Sequence, residues 1–220
     1  MKPVPLCLVT DASAFHDVSP RNTAGIALQL CLEANSTIKY SGLIGESDPV
    51  QAELFAGLVG IWLARTAAGC QQQLPRLQWY TDSQVVREGM TLHLPKWQAA
   101  NWHTKRGEAL RHASLWRAMS SLAVTVEIET LTPQSSQILR MHRACDRASR
   151  WAAAKGERLL AGTAWKKVGR LAEQRPEAAW TLFDLRSAFA ASSNSSCEQL
   201  FAVLHKTLQP HSAFPFTDVP

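Results

Sequence analysis

Two short apolar runs, each ending in a threonine and an aspartate, constrain this chain more than anything else in it. Leu6-Cys7-Leu8-Val9 leads into Thr10-Asp11-Ala12-Ser13, and Leu77 to Tyr80 leads into Thr81-Asp82-Ser83. A short continuous apolar run suits a strand buried on both faces. Two such strands lying side by side and ending alike would deliver both carboxylates to one edge of a sheet.

The segments between and after them fill in an α/β pattern. Ala24 to Cys31 and Thr37 to Ile44 are apolar and β-branched and lie a short turn apart, which predicts an antiparallel hairpin. From Val50 the period becomes helical through Leu54, Leu58, Ile61 and Trp62, stopping near Gly69 and placing Glu53 in the first turn. Ser83 is a natural N-cap for a helix over 84–90, and Pro95 opens another through Trp102. Helices over 113–122 and 136–154 flank a strand over 124–128, and the last helix carries Asp146. The expected order is β-β-β-α-β-α-α-α-β-α: a five-stranded mixed sheet, three antiparallel strands and then parallel ones, flanked by helices.

Past Gly156 the composition shifts. We expect a domain over 1–155 and a C-terminal extension over 156–220, helical through 157–190, with a linker near 191–197 (ASSNSSC). The extension is a candidate surface for a protein partner.

Charge and cysteine usage narrow the function classes. A net charge of +5 suits a polyanionic partner without demanding one. The five cysteines are odd in number, far apart and without C-x-x-C spacing, so no zinc site or disulfide framework is indicated and reduced thiols are expected. The longest apolar run, Leu54 to Ala64, is too short to cross a bilayer, and the N-terminus lacks the apolar core of a secretory signal. A cytoplasmic protein without membrane contact is expected.

TDAS at 10–13, QAEL at 51–54, YTDSQVVREGM at 80–90 and RACDRASRWAA at 143–153 together resemble the four motifs of the RNase H family, type 1, in bacterial or retroelement-like form. The resemblance covers about residues 5–155. It implies an endoribonuclease that hydrolyses the RNA strand of RNA–DNA hybrids with two Mg²⁺ ions, Mn²⁺ being able to substitute. By the same resemblance Asp11 would bridge both ions, Glu53 and Asp82 would complete one site, and Asp146 the other. Carboxylates converging on ions roughly 3.5–4 Å apart are what such hydrolysis needs, one ion activating water and the other stabilising the leaving oxygen.

The chain departs from the family at named positions. The loop histidine of active members falls at Ser136, so no histidine is there. His142 lies four residues before Asp146 on the same helical face, where the family more often has Asn. It is read as a polar residue of an exposed helix, with proton transfer as the alternative. Ala12, Pro49 and Val50 stand where the family has small polar residues that touch the hybrid, leaving Ser13, Gln51, Ser83 and Gln84 as candidate substrate contacts.

Lys96-Trp97, Trp102 to Arg106 and Arg111-His112 fall where bacterial members have a basic protrusion gripping the DNA strand. Lys105, Arg106 and Arg111 are expected to meet phosphates, whereas Trp116 should pack in the core. Arg143, Arg147 and Arg150 share a face of the last helix, joined by Arg140 in one cationic row. Two other functions stay open: an RNase H-fold nuclease acting on DNA or another structured nucleic acid, and a catalytically impaired hybrid-binding module. Four mutually repelling acids argue against a pure binder.

Overall fold

The computed structural model describes residues 5–14, 23–32, 37–68, 76–157 and 180–208. Its centre is a six-stranded sheet in the order β5-β4-β1-β2-β3-β6. The strands are β1 (Leu6–Ala14), β2 (Thr23–Cys31), β3 (Thr37–Glu46), β4 (Arg76–Tyr80), β5 (Glu127–Leu131) and β6 (Thr181–Asp184). β2 pairs antiparallel with β1 and β3, and every other pairing is parallel. The turn expected around 33–36 lies outside the described residues.

β1 and β4 pair from Leu6↔Leu77 to Val9↔Tyr80, so the two Thr-Asp steps come side by side. β1 does not stop at Asp11. Its partner β2 runs on, and the ladder continues from Asp11↔Ala27 to Ala14↔Ala24.

Helix α1 (Pro49–Ala68) crosses one face of the sheet. Because it starts at Pro49, Glu53 lies just past the first turn, not in it. Every residue from Leu54 to Ala64 is buried, as a helix apolar on all sides must be. The sheet covers one side. The other is covered by α4 (Ala113–Ala123), α6 (Arg186–Asn194) and α7 (Cys197–Leu208), with Phe55 edge-on to Phe189 at 5.2 Å. Among the described helices, α5 (Ser136–Glu157) is the one that packs on the opposite face, over β1, β2 and β3, with Trp180 joining the cluster there.

The sheet has six strands where five were expected, and three further expectations change. Strand β5 begins at Glu127, three residues late, because Val124 caps α4 in helical geometry and Thr125 closes the turn onto Leu122. β-branched residues there serve the turn, and Val124 is exposed. The helix expected over 157–190 falls mostly outside the described residues, but Thr181–Asp184 is a strand, held by pairing with β3. Residues 191–194 of the expected linker form the last turn of α6, and only Ser195 and Ser196 separate it from α7. The described part of the extension thus covers the β3 edge and closes the core over α1.

Between β4 and α4 the chain is helical from Gln84 to Ala99: α2 (Gln84–Glu88), a π turn (Gly89–His93) and α3 (Leu94–Ala99). Trp116 packs so tightly on Gly89 that a Cβ there would lie 2.2 Å from its ring. Trp116 is buried as expected. No described helix is long and apolar enough to cross a membrane.

Candidate metal centre

The pleat of β1 sorts its side chains. Leu8 joins the core beneath α1, while Val9 packs with Ala144, Cys145 and Ala148 of α5. Thr10 is fully buried and accepts a hydrogen bond from Trp79 Nε1 at 2.8 Å, which locks β4 to β1 one residue before the carboxylates diverge. Asp11 then points toward α5, where Ser149 Oγ donates to its Oδ2 at 2.6 Å. Thr81 repeats the device: its N–H donates to Leu131 O on β5, and its Oγ1 accepts from Ser83 N–H. Asp82 follows, more than half exposed.

Glu53 reaches the same place from α1. Its Oε1 accepts the Ala12 N–H at 3.1 Å, while Oε2 is buried without a hydrogen-bond partner. His142 arrives from α5, its side chain only 14% exposed, with Nε2 3.6 Å from Asp11 Oδ1 and 3.6 Å from Asp82 Oδ1. This is not the exposed helix face expected of it. Ala144, Cys145, Ala148 and Ser149 of the same helix are buried against the sheet, and the turn that carries them aims His142 inward. Asp146 is turned aside, with Oδ1 on Arg150 Nη2 at 2.8 Å.

The electrostatics follow from crowding. Burial pushes the Asp11 carboxyl up to about 7, against the Ser149 hydrogen bond and the His142 charge that favour its ionised form. Burial, then the Asp11 and Asp82 charges, pushes Glu53 well above the usual carboxylate range. The Asp82 carboxylate, and then Asp11, raise His142, and His142 in turn lowers Asp82. A buried group of acids that cannot all ionise alone, with an orphaned carboxylate oxygen among them, is a donor set suited to a divalent cation. Asp11, Asp82 and His142 each offer a ligand atom, all within 4.8 Å of one another.

The other expected residues lie around this centre with varied partners. Ser83 Oγ accepts from Val86 N–H and caps α2, as the sequence predicts. Gln84 Nε2 donates to Glu88 Oε1, and the Gln51 N–H donates to Asp48 Oδ1. Ser13 sits on β1 opposite Gly25. Lys105 and Arg106 are exposed on a tight hairpin from Trp102 to Leu110, closed by Thr104 N–H to Glu108 O and turned at Gly107, whose φ of +79° suits glycine. Arg111 is tied to Asp48 at 3.1 Å, and His112 Nε2 lies 3.0 Å from the same carboxylate. Asp48 and Ser149 were not singled out in the sequence; Asp48 precedes a helix by one residue, an N-cap signal that could have marked it.

Comparison with known proteins agrees with this architecture. No family model matches the chain. It is 29% identical over 89 residues to a ribonuclease H of Acidovorax sp. (strain JS42), covering 37% of this chain and 60% of that protein, which is less than two thirds of the relative's length. It is 29% identical over 114 residues to a ribonuclease H of Aeromonas salmonicida (strain A449), covering 52% and 69%. Among solved structures, a foamy viral protease-reverse transcriptase in complex with an RNA/DNA hybrid superposes with a TM-score of 0.59 at 16% identity, covering 70% of this chain and 21% of that one. LC9-RNase H1, described as a type 1 RNase H with the type 2 active-site motif, does so at 0.52 and 17%, covering 80% and 90%. The structural matches show an RNase H-like fold. The sequence matches add similarity to proteins named ribonuclease H.

Proposed function

We propose that the chain is an endoribonuclease hydrolysing the RNA strand of RNA–DNA hybrids, with Asp11, Glu53, Asp82 and Asp146 as its metal-holding carboxylates. One observation carries this reading: the orphaned, buried Glu53 Oε2 in a cluster with Asp11 and Asp82, where burial holds Glu53 and Asp11 back from ionising until a cation is supplied. Divalent cations such as Mg²⁺ or Mn²⁺, bound there, would activate water and stabilise the leaving oxygen. The protein's part is positional. Thr10, Trp79 and Ser149 fix Asp11, the Ala12 N–H fixes Glu53, and the Lys105-Arg106 hairpin offers cations to a phosphate backbone. Relatives named ribonuclease H and a structural neighbour in complex with an RNA/DNA hybrid support the assignment.

A second reading, cleavage of DNA or another structured nucleic acid, is favoured by Ala12, Pro49 and Val50, which bring no hydrogen-bonding side chain to the cluster's rim. A strand-labelled assay on hybrid, duplex RNA and duplex DNA, with Mg²⁺ and with Mn²⁺, separates the readings. The first expects cleavage of the RNA strand of the hybrid alone, abolished in Asp11→Asn. Equal cutting of duplex DNA, or full activity in Asp11→Asn, overturns it.

A further inference from the structure

His142 is placed as a ligand would be. Its Nε2 is buried without a hydrogen-bond partner and stands at equal distances, 3.6 Å, from one oxygen of Asp11 and one of Asp82. Both separations exceed the reach of an N–H···O hydrogen bond, about 3.2 Å. They match a different geometry. Around a cation with donors at about 2.1 Å, neighbouring donors lie about 3.0–3.4 Å apart at octahedral to tetrahedral angles. The two His142 separations need close by only a few tenths of an ångström, and all three donor atoms already lie within 4.8 Å of one another. They come from three elements, β1, the loop after β4, and α5, so the convergence is not a helical accident. Asp146, one turn further along α5, is drawn to Arg150 instead.

We propose that His142 is a nitrogen ligand to the cation held by Asp11 and Asp82, so that this centre is a mixed oxygen–nitrogen site that takes Mn²⁺ in preference to Mg²⁺. The inference rests on the metal-site reading above and deepens it. Mg²⁺ demands oxygen donors and keeps its waters, whereas later first-row cations accept imidazole readily. Three protein donors converging before any nucleic acid arrives also mean that the ion binds the free protein.

The test uses the full chain without nucleic acid. Mn²⁺ binding is followed by EPR, and pulsed EPR reads the ¹⁴N coupling of a coordinated imidazole. Wild type should show one histidine nitrogen on the bound ion, absent in both His142→Ala and His142→Asn. Mn²⁺ affinity should fall by at least about tenfold in His142→Ala, since even the loss of a residue that only supports a ligand reaches that size, while Mg²⁺ affinity changes little. Circular dichroism checks that each variant folds. Bound Mn²⁺ without ¹⁴N coupling, or tighter Mn²⁺ binding in His142→Ala, overturns the proposal, the latter because the imidazole would then be occupying the cation's place. Wild type that binds no Mn²⁺ alone also overturns it. Mn²⁺ binding that survives Asp11→Asn unchanged would instead sink the metal-site reading itself, so the two failures are told apart.

Discussion

Replacing Asp11 by Asn removes one charge from a buried acidic group while keeping the side chain's shape and an acceptor oxygen for Ser149. Asp11 is almost fully buried, and its carboxyl is lifted from an ordinary 3.8 to about 7. An acid whose pKa is higher folded than unfolded binds more protons when folded, so stability falls as pH rises from about 4 to about 7 and stays reduced above that. At about 1.36 kcal/mol for each pH unit, the penalty in the metal-free protein is capped at about 4 kcal/mol. Neighbouring acids share it and Asn keeps only part of the Ser149 bond, so we expect a gain of about 1–2 kcal/mol at pH 8, or roughly 2–8 °C in a chain of this size. Thermal melts in chelator at pH 8 and pH 4 read it directly. The gain should appear at pH 8, vanish at pH 4, and accompany loss of cleavage. Equal stabilisation at both pH values, or none at pH 8, would refute the argument that ionising Asp11 costs stability.

Neutralising Lys105, Arg106 and Arg111 should weaken hybrid binding and flatten its salt dependence, by about 0.9 in slope for each phosphate that the protein no longer neutralises; an unchanged slope assigns them to an idle loop. Of the three, only Arg111 should also cost stability, through its pair with Asp48. Gly25→Ala would set a Cβ 2.3 Å from backbone atoms of Ser149 and Ala153, so α5 must shift; we expect destabilisation of about 2 kcal/mol or more in denaturant melts and a weakened metal site. Cys31, lowered to about 6 chiefly by its hydrogen bond with Cys7, its cross-strand partner, should be alkylated at pH 7 well before Cys7, whose thiol is held up by the same interaction. Mass-spectrometric mapping of iodoacetamide adducts checks the order.

Much of the site was legible because it is built from local signals. The Thr-Asp steps follow apolar strand runs that announce themselves, though β1 continues past its step to Ala14, and Ser83 reads as a cap from one residue of context. What escaped depends on tertiary pairing. Thr181–Asp184 contains no run long enough to mark a strand; β3 makes it one. The sequence did hold an unused signal for its neighbours: Leu54 to Ala64 is apolar on every side, so α1 required cover beyond the sheet, and α6 and α7 supply it. His142 was misplaced for a related reason. Helical spacing gives its face relative to Asp146 but not which way that face turns, and the buried Ala144, Cys145 and Ala148 decide it.

The pairing of Asp146 with Arg150 raises the question whether the centre is assembled or held apart. Magnitudes answer it. Both side chains are substantially exposed, at 35% and 46%, and a solvated i,i+4 ion pair contributes only about 0.3–0.5 kcal/mol. A divalent cation held by Asp11 and Asp82, as proposed, would offer the Asp146 carboxylate, already close enough to act on Asp11, far more than that. On the proposed reading the pair would yield when an ion and a phosphate arrive, freeing Arg150 on the cationic face of α5. His142 has less freedom: its side chain is mostly covered, its Nε2 is buried, and it already stands 3.6 Å from both carboxylates. On that reading the two ends of the cluster would divide the work, one preformed around Asp11, Asp82 and His142, the other completed by Asp146 only when ion and substrate draw it from Arg150.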